Sequence, residues 1–349
     1  MTEPPLDPIR LALPSKGQLH DGAMELLKTA GYKVRRMSDR QYEAAIVGQP
    51  RFHVVFMRPT DIAIQAEEGR CHLGVTGRDV FAEQTVESLT AVVVAPDLGY
   101  GGCRLSVAVP ESWIDVSHVI DLVDLTTEFK AAGRGFRVST KYPALTRRFF
   151  RKNGIFHYQL IHSEGALELH PSLGIADIIV DLTSSGTTLK DNRLREIEGG
   201  VVLESAACLV GHAPSLKRLV DEGGTGPLAR FLDALDGVRG VDQTLHVEIV
   251  GHGAAQAGDP AERVARHLQE SGGRQIARGE ILLDQESPGW RITALLPAQA
   301  LVACRRALLE LGASRLVGVS PRLVFDRDAV STFDDLARRL AGPPGAHSS

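Results

Sequence analysis

Short apolar runs without alternation recur through the first two thirds of the chain. Most are followed by a glycine, hydroxyl or basic turn and then by apolar positions three and four apart. Unalternated runs mark strands covered on both faces, and repeated strand–turn–helix units predict an α/β layer with parallel strands. Residues 9–13 predict the first strand. After the turn at 14–19, Ala23, Leu26, Leu27 and Ala30 fall on one helical face, and Gly31 ends the helix. Further strands are predicted at 32–37, 54–57, 73–77, 105–109, 136–140 and 178–180, and later at 201–203 and 206–210. Tyr142-Pro143 opens a helix reaching Lys152, whose Arg147, Arg148, Arg151 and Lys152 read as a solvated basic face. Gly99, Gly101 and Gly102 crowd one passage and predict a hinge or crossover between domains.

The pattern changes after residue 240. Strands at 244–250, 279–283, 290–296 and 315–319 interleave with helices at 260–269 and 298–311. That order, β-α-β-β-α-β, is the ferredoxin-like unit. Residues 343–349 read as a frayed tail.

Size and composition narrow the picture. A chain of 349 residues has room for roughly two or three domains. A net charge of −4 with no concentrated basic tract gives no reason to expect nucleic acid. Cys71, Cys103, Cys208 and Cys304 are scattered without a C-x-x-C pair, so they read as reduced, mostly buried thiols of a cytosolic protein. No apolar run reaches the length of a membrane span, and the acidic, proline-bearing start lacks a signal-peptide core.

The stretch from Gly174 to Lys190 carries the chemistry. Ile178, Ile179 and Val180 form a buried strand, and Asp181 sits where that strand should emerge at its carboxyl end, the edge where open α/β sheets bind ligands. Ser184, Ser185, Thr187 and Thr188 surround Gly186 before a short helix. Unpaired amides and a helix dipole at such a turn suit a phosphate, and the hydroxyls add uncharged donors. Asp177 and Asp181 beside the turn suit vicinal hydroxyls, so the economical ligand is a ribose 5-phosphate. A hydroxyl-rich turn also caps helices, and that reading stands beside the first. The Walker A spacing is absent. Elsewhere, Lys16 stands by a glycine at a strand-to-helix turn, Arg40 just past the second strand and Arg58 at the end of the third. Glu168 is an acid in a mostly apolar stretch, either a surface residue or a carboxylate for sugar or metal.

These blocks resemble the ATP phosphoribosyltransferase family, first in histidine biosynthesis, in its long form. Residues 174–189 match the family signature A-D-x-I-x-D-x-x-S-T-G-x-T-L except for Ser185, which keeps a hydroxyl. Residues 97–105 (D-L-G-Y-G-G-C-R-L), 57–62 (M-R-P-T-D-I), 139–143 and 311–314 also look like family blocks. The resemblance implies a bilobal core similar to type II periplasmic binding proteins and a ferredoxin-like regulatory domain that binds histidine as feedback inhibitor. The expected division is 1–102 with 194–239, 103–193, 240–328, and a C-terminal helix and tail over 329–349. It further implies ATP and phosphoribosyl pyrophosphate as substrates, Mg²⁺ as cofactor, a cytoplasmic enzyme and a homo-oligomer, dimer to hexamer. Residues Ser184, Ser185, Gly186, Thr187 and Thr188 would hold the 5-phosphate, with Asp177 and Asp181 facing ribose hydroxyls or metal. Arg40, Arg58 and Glu168 would be catalytic, with Lys16 and Arg104 as further phosphate contacts. Gln18 replaces a usual arginine, and His72 a usual aspartate. Those departures leave open a paralogue that binds without turnover, and the acid–loop pattern leaves open a base-salvage phosphoribosyltransferase.

Overall fold

The computed structural model describes residues 8–36, 38, 41–86, 88–163, 165–224, 226–239, 244–252, 260–283, 287–323 and 330–341. The chain forms two compact units, Met1–Asp233 with Val330–Ser349, and Ala234–Ala329.

The first unit has two lobes. One begins with β1 (Ile9–Pro14), α1 (Gln18–Thr29), β2 (Val34–Arg35), β3 (Glu43–Ile46), β4 (Phe52–Met57), α2 (Pro59–Glu67), β5 (Leu73–Gly77), α3 (Arg78–Gln84) and β6 (Ala91–Ala95). The chain then crosses into β7 (Cys103–Pro110), α4 (Asp121–Ala131), β8 (Arg137–Thr140), α5 (Pro143–Lys152), β9 (Gln159–His162), β10 (Ile178–Thr183), α6 (Thr187–Asp191) and β11 (Leu194–Ser205). It returns through β12 (Ala207–His212), α7 (Ala213–Val220) and α8 (Pro227–Arg239). The first sheet has the order β2-β3-β4-β1-β5-β12-β6 and the second β11-β7-β10-β8-β9. Within them, β4-β1-β5-β12-β6 and β9-β8-β10-β7-β11 repeat one plan. Three parallel strands are followed by an antiparallel one that has just arrived from the other lobe. This is the bilobal, periplasmic-binding-protein-like core expected. Ile9, Leu11, Ala12 and Leu13 of β1 are wholly buried, as an unalternated central strand must be.

The glycine-dense passage is the crossover. Gly99 and Gly101 take positive φ (83° and 70°), and the two crossing segments bond each other through Leu98 N to Ala207 O (2.8 Å) and Ala207 N to Tyr100 O (3.0 Å). Tyr100 lies flat on Gly22 of α1, where any Cβ would overlap its ring, and its hydroxyl donates to Leu19 O (3.2 Å). A second tie joins the lobes through α3. Tyr142 of the second lobe donates its hydroxyl to Asp79 Oδ2 (2.6 Å), and Ser205 Oγ donates to Asp79 Oδ1 (2.7 Å). Glu83 accepts the amides of Ala144 and Leu145 (2.8 and 2.9 Å), capping α5 from the opposite lobe.

The second unit contains β13 (Thr244–His252), α9 (Pro260–Glu270), β14 (Arg274–Leu283), β15 (Ser287–Pro297), α10 (Ala298–Glu310) and β16 (Ala313–Val319). Its antiparallel sheet, β14-β15-β13-β16, is that of a βαββαβ ferredoxin-like unit. Val247, Ile249, Trp290, Ile292 and Leu296 pack with Val264, Leu268 and Leu308. Helix α11 (Thr332–Ala341) then rejoins the first unit, where Arg339 donates to the carbonyls of Val93 (2.8 Å) and Val94 (3.3 Å) in β6.

Three strands, β3, β6 and β9, and most of β11 are additions to the sequence expectation. Strand β11 breaks register between Glu196 and Val201, around Gly199 and Gly200, so only its last apolar run is legible. Because β11 pairs with β7, residues 194–205 belong to the second lobe, not the first. The second unit starts at Ala234, inside α8, and α11 does not belong to it.

Candidate active site

Parallel strands end together, so the residues just past each of them meet at one edge of the sheet. In the first lobe, Lys16 comes after β1, Arg58 after β4 and Arg78 after β5. Strands β4, β1 and β5 are neighbours about 4.8 Å apart, so three cations line one carboxyl edge within roughly 10 Å. A cavity of about 620 Å³ opens there, lined by Ser15, Lys16, Arg36, Gln41, Tyr42 and Arg58 among others. Arg58 is the N-cap residue of α2, with Pro59 opening the helix. Arg36 lies over the Phe56 ring at 3.2 Å, held as a cation on an aromatic face. Arg40 lies outside the described residues, although Gln41 and Tyr42 beside it line this cavity.

In the second lobe, β10 runs to Thr183, two residues beyond Asp181, and the hydroxyl turn comes next. Gly186 adopts φ 74° as the N-cap of α6, a conformation natural to glycine. Ser185 and Thr187 hydroxyls bond each other at 2.9 Å, and Leu189 buries the start of α6. Ser184, Ser185, Thr187 and Thr188 line the outside of the turn, and Leu189 alone of its helix is buried. A second cavity, about 450 Å³, brings Ser184 together with Arg78, Asp97, Cys103, Arg104, Glu204 and Ser205 at the crossover. The turn therefore opens onto the junction of the lobes and is not packed in a core.

Asp181 is half-buried, and burial raises its carboxyl above the ordinary range. The Leu182 amide (2.8 Å) and Lys141 oppose that rise, whereas Glu168 adds to it. Asp181, Glu168 and Lys141 thus form one electrostatic cluster beside the turn. Glu168 sits in a 3-10 turn, Leu167–Leu169, entered through Ala166 at φ 51°. Arg104 meets Glu196 in a two-point ion pair (Nε to Oε1 2.9 Å, Nη2 to Oε2 2.5 Å), which depresses the Glu196 carboxyl while the guanidinium still borders the second cavity.

Asp177 is not brought to the turn. It precedes β10 at the amino end, about 20 Å of strand from Thr183 where the turn begins, since six residues rise about 3.3 Å each. There it accepts the Arg137 amide (2.7 Å) and pairs with the Arg137 guanidinium (3.2 Å), a fold-holding role in place of the expected one toward ribose or metal. His72 is likewise remote. It precedes β5 at the amino edge and accepts the Arg10 amide at 3.0 Å, so its departure from the family pattern does not touch the site. Gln18 opens the first turn of α1, close to Lys16 in sequence. Sequence reasoning missed Arg36, Arg78 and Lys141. Arg78 and Lys141 share a signal that could have found them, a cation at the first position past an expected strand.

Comparisons with known proteins agree with this geometry. The family model described as "HisG: ATP phosphoribosyltransferase" matches residues 58–231. ATP phosphoribosyltransferases of Chelativorans sp. (strain BNC1) and Brucella anthropi are 45% and 43% identical over 205 residues, which take in 89% of each relative and 58% of this chain. Among solved structures, the ATP phosphoribosyl transferase (HisG:HisZ) complex from Thermotoga maritima matches with TM-score 0.50 and 25% identity, covering 65% of this chain and 95% of that one. On the relatives' identity and coverage, together with the loop that closes β10, the chain belongs to the ATP phosphoribosyltransferase family.

Proposed function

We propose that the protein transfers the phosphoribosyl group of phosphoribosyl pyrophosphate to N1 of ATP, releasing pyrophosphate, as the first step of histidine biosynthesis. The observation that carries this reading is the pairing of two features in one unit. An uncharged phosphate turn ends β10, and a row of cations, Lys16, Arg58 and Arg78, ends β1, β4 and β5. The turn suits the 5-phosphate and the cations suit the leaving pyrophosphate. Breaking the C1–O bond leaves positive charge on the sugar and negative charge on pyrophosphate. Fixed cations therefore stabilise the transition state more than the ground state. Asp181 and Glu168 face the positive side, as acceptors for ribose hydroxyls. N1 of adenine already carries a lone pair, so positioning matters more than a general base.

The described residues contain no cluster of three or more His, Cys, Asp or Glu able to hold a metal. Mg²⁺ fits the residues present only as an ion carried on pyrophosphate oxygens, with Asp181 or Glu168 completing its shell; when bound it would neutralise the departing charge. The family model's match ends at residue 231, before the ferredoxin-like unit, for which we propose histidine binding and inhibition. A cytoplasmic homo-oligomer completes the reading; among the described residues no helix is long and apolar enough to cross a membrane.

Turnover of ATP and phosphoribosyl pyrophosphate with Mg²⁺, measured as adduct and pyrophosphate, tests the proposal. K16A and R58A should lower kcat/KM by at least about tenfold each, the loss of one charged hydrogen bond. Ligand binding with no adduct from the folded wild type would replace the enzyme by a binding paralogue.

A further inference from the structure

A third cavity, about 680 Å³, lies beside α5 and β9 of the second lobe, with Val86 of the first lobe at its rim, and it shares no lining residue with the two cavities of the active site. Its walls are Arg147, Arg148 and Arg151 of α5 and an apolar floor that includes Val86, Phe156, Tyr158 and Leu160. The residue pattern alone predicts a solvated face for these arginines. All three are exposed, as that reading expects, and the structure also gathers them around one depression. None of the three makes an ion pair among the described residues, and α5 itself carries no acid. Glu83, at the start of α5, is occupied by the amides of Ala144 and Leu145. Tyr158 is packed edge-on against Phe150 (5.0 Å), and the charges of Arg147 and Arg151 reach its phenol. Phe156 leaves 65% of its surface in water.

Three like charges on one wall repel unless an anion joins them, and guanidinium forks match phosphate oxygens in pairs. An exposed aromatic ring beside them offers a stacking surface for a base. The volume falls within the range of small-molecule sites, roughly 300–1,000 Å³. A lone phosphate would leave the aromatic floor bare, whereas a purine nucleotide with two or three phosphates uses both halves.

We propose that this cavity is a second nucleotide site, outside the active site, that takes a nucleoside polyphosphate with its phosphates on Arg147, Arg148 and Arg151 and its base on Phe156. The inference stands on this cavity alone and does not depend on the transferase reading. The probe is GTP, which keeps clear of a site assigned to ATP, measured by equilibrium dialysis against the full chain, with inorganic triphosphate and inorganic phosphate as competitors. R147E/R151E should raise the GTP dissociation constant by at least about tenfold, as two charge-assisted contacts are lost. F156A should weaken GTP but leave the competition by inorganic triphosphate unchanged, and K16A/R58A should leave GTP binding unchanged. R147K/R151K, which keeps the charge, should bind with an intermediate constant and controls for folding. Unchanged GTP binding in both R147E/R151E and F156A overturns the proposal. So does loss of GTP binding in K16A/R58A alone, which puts the nucleotide in the active site. Full competition by inorganic phosphate at equal concentration reduces the cavity to an unselective anion patch and overturns it as well.

Discussion

The bond from Tyr142 to Asp79 makes the relation between the lobes open to measurement. Both side chains are buried, at 8% and 5% exposure, and they come from opposite lobes. Burial and the Asp79 carboxylate push the Tyr142 phenol far above its ordinary value, so the hydroxyl stays a donor throughout the working pH range. Tyr142→Phe removes one oxygen and keeps the ring. It leaves Asp79 Oδ2 without its 2.6 Å donor in a place water reaches poorly, while Ser205 still bonds both the Asp79 carboxylate and the Asp79 amide. A hydrogen bond to a charged group contributes about 1.5–3 kcal/mol, and the orphaned oxygen puts the loss toward the upper half of that range. Part of the loss is relieved if the lobes part and water enters, which the variant is expected to do.

Urea unfolding of wild type and Y142F, with equal m-values required, measures the stability term. Small-angle scattering of the same samples reports the separation of the lobes. Ser205→Ala supplies the second arm of a double-mutant cycle, and the pair should be non-additive because both act on one carboxylate. Y142F within about 0.5 kcal/mol of wild type, with unchanged scattering, would refute the claim that this carboxylate holds the lobes together.

Other outcomes are expected from the same geometry. Gly22→Ala places a methyl group inside the Tyr100 ring, so Tyr100 must leave α1; overpacking costs typically about 1–3 kcal/mol, read as a lower urea midpoint. Gly186→Ala forces an alanine into φ 74° at a cost of about 1–2 kcal/mol, and it should weaken phosphoribosyl pyrophosphate more than ATP in a binding assay. Glu196 is depressed by Arg104, so its contribution is complete above the unfolded value of about 4.3 and fades as pH falls through the lower folded value. E196Q should therefore lose stability at pH 7 but converge on wild type in strongly acidic urea titrations. Removing residues 242–328 behind a short linker, with α11 kept, should spare the transferase turnover and abolish inhibition by histidine; full inhibition in that variant would place the inhibitor elsewhere.

Legibility in the sequence depended on whether local chemistry or pairing decides the outcome. The hydroxyl turn after β10 was legible because a glycine at positive φ, flanking hydroxyls and an apolar strand are all local requirements. Gly99 and Gly101 announced the crossover for the same reason. Asp177 was misplaced because its role depends on which end of β10 faces the crossover, and on an arginine 40 residues earlier on the neighbouring strand. Strand β11 was cut short because its bulge interrupts the apolar pattern, and its sheet membership comes from a pairing with β7. Arg36 falls within an expected strand; its place over Phe56 of β4 depends on a fold between them. The latch at Asp79 joins residues 63 and 126 positions apart and has no sequence signature.

The ferredoxin-like unit is an insertion between two elements of the first unit. Helix α8 leads into it, with Phe231 packed tilted against Phe52 of β4 (5.1 Å) and edge-on against Tyr32 before β2 (5.0 Å). Helix α11 leads out of it, burying Phe333 and Leu336 and bonding the edge strand β6. Strands β4 and β6 are four spacings apart in the seven-stranded sheet, about 19 Å. Between and on them stand β4, β1 and β5, the strands whose ends carry Arg58, Lys16 and Arg78. Deleting everything beyond residue 240 would cut the second attachment as well as the inserted unit, exposing the Phe333 and Leu336 contacts at roughly 1.5–3 kcal/mol each. Lost inhibition in such a truncation would not separate the effector's site from its route. The excision that keeps α11 does separate them, because it leaves both anchors in place and removes only the segment between.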